Sequence, residues 1–399
     1  MSGQVMFGPP ERIRRGATLT VVFGAVLVIG VAGGSFDAAA GRPPMRPARA
    51  DASQPRPDTA EIARDIDQGR VGAQAAAELV SRSGDRWSAV YSAHEYESLQ
   101  QELDGVYVGV GVWVRRDADG TVEVSRVQAA GPAQRAGIAV GDRLLTVDGK
   151  GVTGSPVTDV VARLRGVEPD DPDADDTAPA PRPGSPVALG LQRGNRAWTV
   201  TVRRALLSTE AVSVTHPAPG VTDIAIGSFV HGVGAQVRRA LAAGDHSQGV
   251  LLDLRGNSGG LVSEAVAVAS AFLDGGLVAT YDVHGEQHAL YAQGGGDTRT
   301  PLVVLVDGGT MSAAELLTGA LQDRGRAVIV GSRTFGKGSV QMPSTLPDGS
   351  VAELTVGHYR TPTGRSIDGQ GIRPDLVVPD GSDAQVQART VLSGLGARS

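Results

Sequence analysis

Short continuous apolar runs punctuate the second half of the chain: Val250-Leu-Leu-Asp-Leu254, Pro301-Leu-Val-Val-Leu-Val306 and Ala327-Val-Ile-Val330. Runs of this length without alternation are the pattern of buried strands. Between them, Ser263–Leu273 and Ser312–Gln322 carry apolar residues at helical spacing, so Leu207 to Pro379 predicts an α/β arrangement. Upstream the rhythm differs. From Val106 to about Arg204, the β-type segments Val106–Val114, Thr121–Val127, Arg143–Val147, Val187–Gln192 and Trp198–Val202 alternate with Gly-containing turns and predict a small β-rich module. Before it, Asp58–Gln101 predicts a helical segment, with Ile62, Ile66, Ala76, Leu79 and Val80 marking apolar faces. Residues 381–399 are rich in Gly, Ser and Ala and are expected to fray as a flexible tail.

Two stretches break these rhythms. Ala17–Phe36 is apolar and uncharged, with Arg12, Arg14 and Arg15 before it and Asp37 after. About 20 such residues suffice to span a bilayer as a helix, and the arginines place residues 1–16 in the cytoplasm. The rival reading is a cleaved signal sequence, with Ala38-Ala39-Ala40 offering small residues to a peptidase. Both readings export the chain, and residues 37–57 follow as a Pro/Arg/Ala linker. The second stretch, 167–186, holds six acidic residues and six prolines. It buries little and repels itself, which predicts a disordered loop; it lacks the regular ligand offsets of a calcium loop.

Composition narrows the chemistry. The absence of cysteine excludes disulfides, thiolate nucleophiles, iron–sulfur clusters and Cys-ligated zinc. A net charge of −6 without a basic stripe argues against nucleic acid as a partner. Of the 37 basic residues only Lys150 and Lys337 are lysine. A lysine retained in so arginine-rich a chain is a candidate for work a guanidinium cannot do, such as losing its proton.

Four constellations carry candidate chemistry. In Asp307-Gly-Gly-Thr-Met-Ser312-Ala-Ala-Glu315, a buried strand meets a helix start at Ser312, where free N–H groups favour a developing oxyanion. The plainer reading is a capping box of Ser312 and Glu315. In Gly331-Ser-Arg-Thr-Phe-Gly-Lys337-Gly-Ser-Val-Gln341, flanking glycines allow close packing around an amine whose desolvation would free it to act as a base. Gln341 could hold that amine, and Gly338 after the lysine breaks the phosphate-loop pattern. Asp253-Leu-Arg-Gly-Asn-Ser-Gly-Gly260 is a strand-to-helix turn able to offer a backbone N–H. Tyr107-Val108-Gly109-Val110-Gly111 could capture a peptide's C-terminal carboxylate. Two decoys carry less weight. His284 and His288 have zinc-like spacing, but Gly285 and a misplaced Glu spoil the motif; His358 could pair with a serine or be structural.

In order and spacing these motifs resemble the carboxyl-terminal processing proteases, S41 serine peptidases with a Ser–Lys dyad and an embedded PDZ domain. The similarity runs from about Asp58 to Pro379 and includes Leu346-Pro-Asp-Gly-Ser, Gly364-Arg-Ser-Ile and Gly371-Ile-Arg-Pro-Asp-Leu-Val-Val. It implies an α/β crotonase-like (ClpP/crotonase-type) protease domain over 207–380, with a β-rich PDZ domain over 102–206. Ser312 would be the nucleophile, Lys337 the general base and Gln341 the residue orienting the lysine. Gly260 and Ala313 would form the oxyanion hole, with Gly259 as the alternative donor. Val108, Gly109, Val110 and Gly111 would bind the substrate's C-terminus. The implied partners are proteins with unstructured C-terminal tails, cut outside the cytoplasm without metal, nucleotide or redox cofactor. The sequence names no activator or oligomeric partner. Asp307 and Met311 depart from the family's usual Asn and small residue. The rival readings are a catalytically inactive PDZ-bearing envelope adaptor and a Ser–His esterase using His358.

Overall fold

The computed structural model describes residues 58–117, 119–166, 182–283, 286–379 and 381–396. The apolar segment 17–36, the linker 37–57, residues 167–181 of the acidic stretch and His284 lie outside these. Among the described residues, no helix is long and apolar enough to cross a membrane.

Two compact units emerge, one made of 58–91 and 212–396, the other of 92–211. The first begins with α1 (Thr59–Asp67), α2 (Ala73–Ser83) and β1 (Ala89–Tyr91). The expected helical run to residue 101 is thus interrupted by a strand. Three residues are too few to show periodicity, and β1 exists because a distant strand pairs with it.

The second unit contains α3 (Ala93–Leu103), β2 (Val106–Gly109), β3 (Val112–Arg116), β4 (Val122–Val127), α4 (Pro132–Arg135), β5 (Arg143–Val147), β6 (Lys150–Gly151), α5 (Val157–Arg165), β7 (Pro186–Arg193), β8 (Arg196–Arg203) and β9 (Ala205–Ser208). Strands β3-β4-β5-β7-β8 form its main sheet, with β6 beside β5. Alternate residues such as Val122, Val124, Leu189 and Leu191 build its core with Val160 and Leu164 of α5. Because β9 pairs with β2, setting Leu207 opposite Tyr107, this unit extends a few residues past 206.

The first unit resumes with β10 (Val212–Ala218), β11 (Val221–Ile226), α6 (Val233–Ala243), β12 (Gly249–Asp253), α7 (Val262–Phe272), β13 (Leu277–Val283), β14 (Glu286–Tyr291), β15 (Leu302–Val306), α8 (Ala313–Asp323), β16 (Val328–Gly331), β17 (Ser339–Thr345), β18 (Val351–Arg360), β19 (Leu376–Val377) and α9 (Ala384–Gly396). Its six-stranded sheet has the order β10-β11-β12-β15-β16-β19, parallel from β11 onward. Every residue of β15 is buried, the condition of a parallel strand covered on both faces. An antiparallel sheet, β1-β18-β13-β14 with β17 on β18, completes the unit. One face of β18 joins Ala352 and Leu354 to Ile62, Ile66, Ala76 and Val80 of the first two helices.

The expected flexible tail is instead helix α9. Ala388 and Leu392 pack on Leu251, Val303, Leu305 and Val330, and Asp383 Oδ1 accepts the N–H of Gln385 at the helix start. The Gly/Ser/Ala composition conceals a regular apolar stripe of Ala384, Ala388, Leu392 and Leu395. Leu392→Ala should therefore lower the free energy of unfolding by about 2–4 kcal/mol. The exposed Val386→Ala should change it by less than about 0.5 kcal/mol. Urea denaturation of both variants checks this, and equal midpoints would show that α9 does not pack.

Candidate active site

At the C-terminal end of β15 the chain turns through Asp307-Gly-Gly-Thr. Asp307 Oδ1 accepts the N–H groups of Gly256 and Gly309, both at 2.9 Å, and Thr310 Oγ1 donates to the Leu254 carbonyl at 2.8 Å. Asp307 thus supplies the acceptor oxygen that an Asn would, which is all this turn requires. Ser312 follows with φ +59°, a left-handed conformation uncommon outside glycine and a sign of local strain. Its Oγ is buried without a hydrogen-bond partner. The capping reading fails for the hydroxyl, because only the reverse half of the box forms: Glu315 Oε2 accepts the Ser312 N–H at 2.9 Å.

Glu315 does far more than cap. Its Oε1 accepts Thr334 Oγ1 at 2.5 Å and the Gly336 N–H at 2.7 Å, while Oε2 also accepts the Lys337 N–H at 2.8 Å. The main chains of Ser312 and Lys337 therefore meet on one carboxylate oxygen. Burial raises the Glu315 pKa, and the bonds from Thr334, Lys337, Ser312 and Gly336 act the other way by favouring the anion. Tyr359 fixes the same two residues from another side. Its hydroxyl lies 2.9 Å from the Ser312 carbonyl and 2.8 Å from that of Lys337, sharing one proton between them.

Lys337 is 1% exposed. Burial lowers its pKa from 10.5 to about 8, opposed chiefly by the charge of Glu353. Its Nζ lies 4.6 Å from the centroid of the Trp87 ring, which also meets the Arg86 guanidinium at 4.5 Å and the edge of Phe335. Gln341 is fully buried. Its amide nitrogen donates to Ser339 Oγ and Thr355 Oγ1, leaving Oε1 without a donor. Neither Ser312 Oγ nor Gln341 Oε1 is engaged by Lys337 in this arrangement, so the two segments are joined through their main chains.

The turn after β12 packs against the serine. Gly259 and Gly260 have φ of +103° and +123°; a Cβ on Gly259 would stand 2.9 Å from Ser312 Cβ, and one on Gly260 2.4 Å from the Phe229 carbonyl oxygen. Only glycine fits both places. Asn257, fully buried, locks the turn by donating to Ile226 O and accepting the Gly259 N–H. Gly259 is thereby removed as the alternative donor. Among the described residues the N–H groups of Gly260 and Ala313 donate to no protein acceptor. Met311 is buried, its N–H on Asn257 O.

His358 is half-exposed and faces Asp368 at 3.5 Å. Alternation along β18 sends Tyr359 inward and His358 outward, away from the serine. His288 stacks on Tyr281, and its zinc-spaced partner His284 lies outside the described residues.

In the other unit, Val108 and Gly109 end β2, and Val110 and Gly111 turn the chain into β3. Gly109 lies against the Tyr107 ring, where a Cβ would stand 2.7 Å from Cε2. A cavity lined by Gly109, Gly111, Val112, Val114, Val161 and Leu164 runs between β3 and α5. Val110 itself is buried in the core, so it can offer only its main chain to a ligand.

The α/β unit thus holds a strained serine and a buried lysine at one rim of its sheet, and the β-rich unit carries a groove beside Gly109 and Gly111. Residues 220–378 match the model of peptidase family S41 and residues 95–169 that of the PDZ domain. It is 29% identical over 327 residues to a "Probable CtpA-like serine protease" of Staphylococcus saprophyticus, covering 80% of this chain and 63% of that one. A protein of the same name from Staphylococcus aureus is 30% identical over 306 residues, covering 75% and 58%. The chain thus spans about six-tenths of the length of these relatives. Among solved structures, the photosystem II D1 C-terminal processing protease matches with TM-score 0.49 and 28% identity, covering 81% of this chain and 86% of that one.

Trp87, Tyr359 and Glu353 were not legible as site residues in the sequence. For the two aromatics the one available signal was their type, aromatics being scarce in a chain with 4% aromatic content; Glu353 gave none. Tyr359→Phe should destabilise the fold by about 1–3 kcal/mol, because two buried carbonyls lose their shared donor. Chemical denaturation measures this, and an unchanged midpoint would show that the hydroxyl does not tie the loops.

Proposed function

We propose that this chain is a serine endopeptidase of the carboxyl-terminal processing type, using Ser312 and Lys337 as its dyad. The observation that carries the reading is the buried Lys337, held toward the amine form and tied through Glu315 and Tyr359 to the main chain of Ser312. Neutral Lys337 takes the Ser312 hydroxyl proton as Oγ attacks the scissile carbonyl carbon. The resulting oxyanion is received by the N–H groups of Gly260 and Ala313, which are free to donate. The lysine ammonium then protonates the leaving amine and an acyl-enzyme forms. Water, deprotonated by Lys337, releases the acid and restores Ser312. Gln341 Oε1, unpartnered and buried, is the acceptor that would orient the amine.

The α/β unit is read as crotonase-like, and the groove beside Gly109 and Gly111 as the seat of a free C-terminal tail, bound by strand addition along β3. Residues 17–36 are read as a membrane anchor, or a cleaved export signal, that puts both domains outside the cytoplasm.

The test follows intact mass of an unfolded protein ending in a small apolar tail, incubated with wild type, Ser312→Ala, Lys337→Ala and Lys337→Arg. All three variants should lose at least about a thousand-fold in kcat/KM. Cleavage surviving in Lys337→Ala would remove the dyad mechanism in favour of a Ser–His hydrolase. Peptide binding without cleavage by wild type would favour an adaptor. In the active enzyme, kcat/KM should rise with pH through about 8, since the neutral amine is the proton acceptor and its fraction grows there. Amidating the tail of the substrate should slow cleavage at low substrate concentration roughly tenfold, through loss of the carboxylate contact; equal rates would remove the PDZ groove from tail recognition.

A further inference from the structure

Strand β18 presents two faces of opposite character. Ala352 and Leu354 lie in the apolar layer under α1 and α2, while Val351, Glu353 and Thr355 alternate onto the other face. Thr355 Oγ1 on that second face accepts from Gln341, so this is the side of the sheet that looks toward the dyad. Glu353 sits two residues away on it, 2% exposed. Its cross-strand neighbours are Ala89 of β1 and Pro343 of β17, whose side chains offer no donor. Its Oε1 is buried without a hydrogen-bond partner. A carboxylate so placed is costly to ionise unless a cation compensates it.

The cation the geometry offers is Lys337: its Nζ lies 4.6 Å from the Trp87 ring, and Trp87 stands two residues before Ala89, the cross-strand partner of Glu353. Lys337 is the charge that acts on Glu353, and Glu353 is the strongest charge acting on Lys337, ahead of Asp85 on the segment before β1 and Glu315 on α8, with Arg86 opposing them. No acyl-transfer step uses this carboxyl group. Its neighbour Thr355 is spoken for by Gln341 and by Ser88, whose Oγ accepts the Thr355 N–H.

We propose that Glu353 is a positioning residue acting on charge: it and Lys337 form a buried, charge-coupled pair, and the ionisation of Glu353 sets how much of Lys337 is free amine. This rests on the reading of Lys337 as the general base. Burial pushes Glu353 up to about 7, and Lys337 down to about 8. The charges fix the sign: an ionised Glu353 holds the proton on Lys337 and delays the free amine to higher pH. Without the carboxylate the ammonium stays buried but loses a compensating charge, so the amine must appear at lower pH.

Lysine occurs only twice in the chain, which makes the pair directly observable. The full-length chain labelled with [13Cε]-lysine gives one signal from Lys337 and one from the exposed Lys150, the internal reference. In wild type the Lys337 signal should move in two steps, a small one as Glu353 ionises and a larger one as the amine deprotonates. In Glu353→Gln it should move in one step, displaced to lower pH by about one unit, with Lys150 unchanged. The rising limb of kcat/KM should follow it, giving roughly fivefold more activity at pH 7 than wild type. A Lys337 midpoint unmoved or raised in Glu353→Gln would overturn the proposal. Should that variant not fold, a single-step Lys337 titration in wild type would overturn it equally. The labelling experiment needs no substrate, so a failed peptidase assay leaves this outcome readable.

Discussion

The site depends on one buried carboxylate. Glu315 collects the main-chain N–H groups of Ser312, Gly336 and Lys337 and the hydroxyl of Thr334. These donors come from two segments that neighbouring strands bring side by side. Ser312 stands at the start of α8 after β15, and Lys337 in the loop after β16. Parallel neighbours end at the same edge of the sheet, so β15 and β16 bring both loops to one rim. The rim sets their approach, and Glu315 sets their register. Four donors on one carboxylate also explain how a charge can sit in so dry a place, since bonds to the anion offset what burial takes away.

A second constraint is the choice of cation. Arginine serves almost everywhere else in the chain, including buried positions such as Arg204, which donates to four acceptors. A guanidinium at 337 would remain charged at any pH the protein meets. The ammonium of lysine instead yields to desolvation, and the aromatic face of Trp87 partly restores what the ammonium loses. Burial and compensation must be balanced here. Too little burial leaves a permanent cation, and too little compensation leaves an amine with little affinity for a proton.

What the sequence disclosed and what it hid divide along contact order. Most strands and helices of the α/β unit were legible because each run of Val, Leu and Ile reports its own burial. Ser312 was legible as the start of a helix that follows a buried strand and a Gly turn, and Lys337 because glycines flank it and lysine is rare. Glu315 was legible as a capping residue, yet three of its four partners were not, since Thr334, Gly336 and Lys337 lie a strand away. Trp87, Tyr359 and Glu353 reach the site across β1 and β18, whose pairing no local pattern announces. Helix α9 was hidden for a different reason: its stripe is built from Ala, Val and Leu within a composition that reads as loop.

The same buried cluster argues that the site is maintained against stability. Ser312 holds a left-handed backbone, and Ser312 Oγ, Gln341 Oε1 and Glu353 Oε1 are all buried without partners. Each such feature costs on the order of 1–3 kcal/mol. A fold optimised only for stability would relieve them by exchanging Glu353 for an apolar residue, or by letting the Ser312 hydroxyl cap α8. The apolar runs of strands β12 and β15, and a helix α8 buried from Ala313 to Leu321, supply the packing that can carry such a burden. Acceptors left unpartnered in a dry interior keep hydrogen-bonding capacity unused, which a purely structural polar network would have consumed.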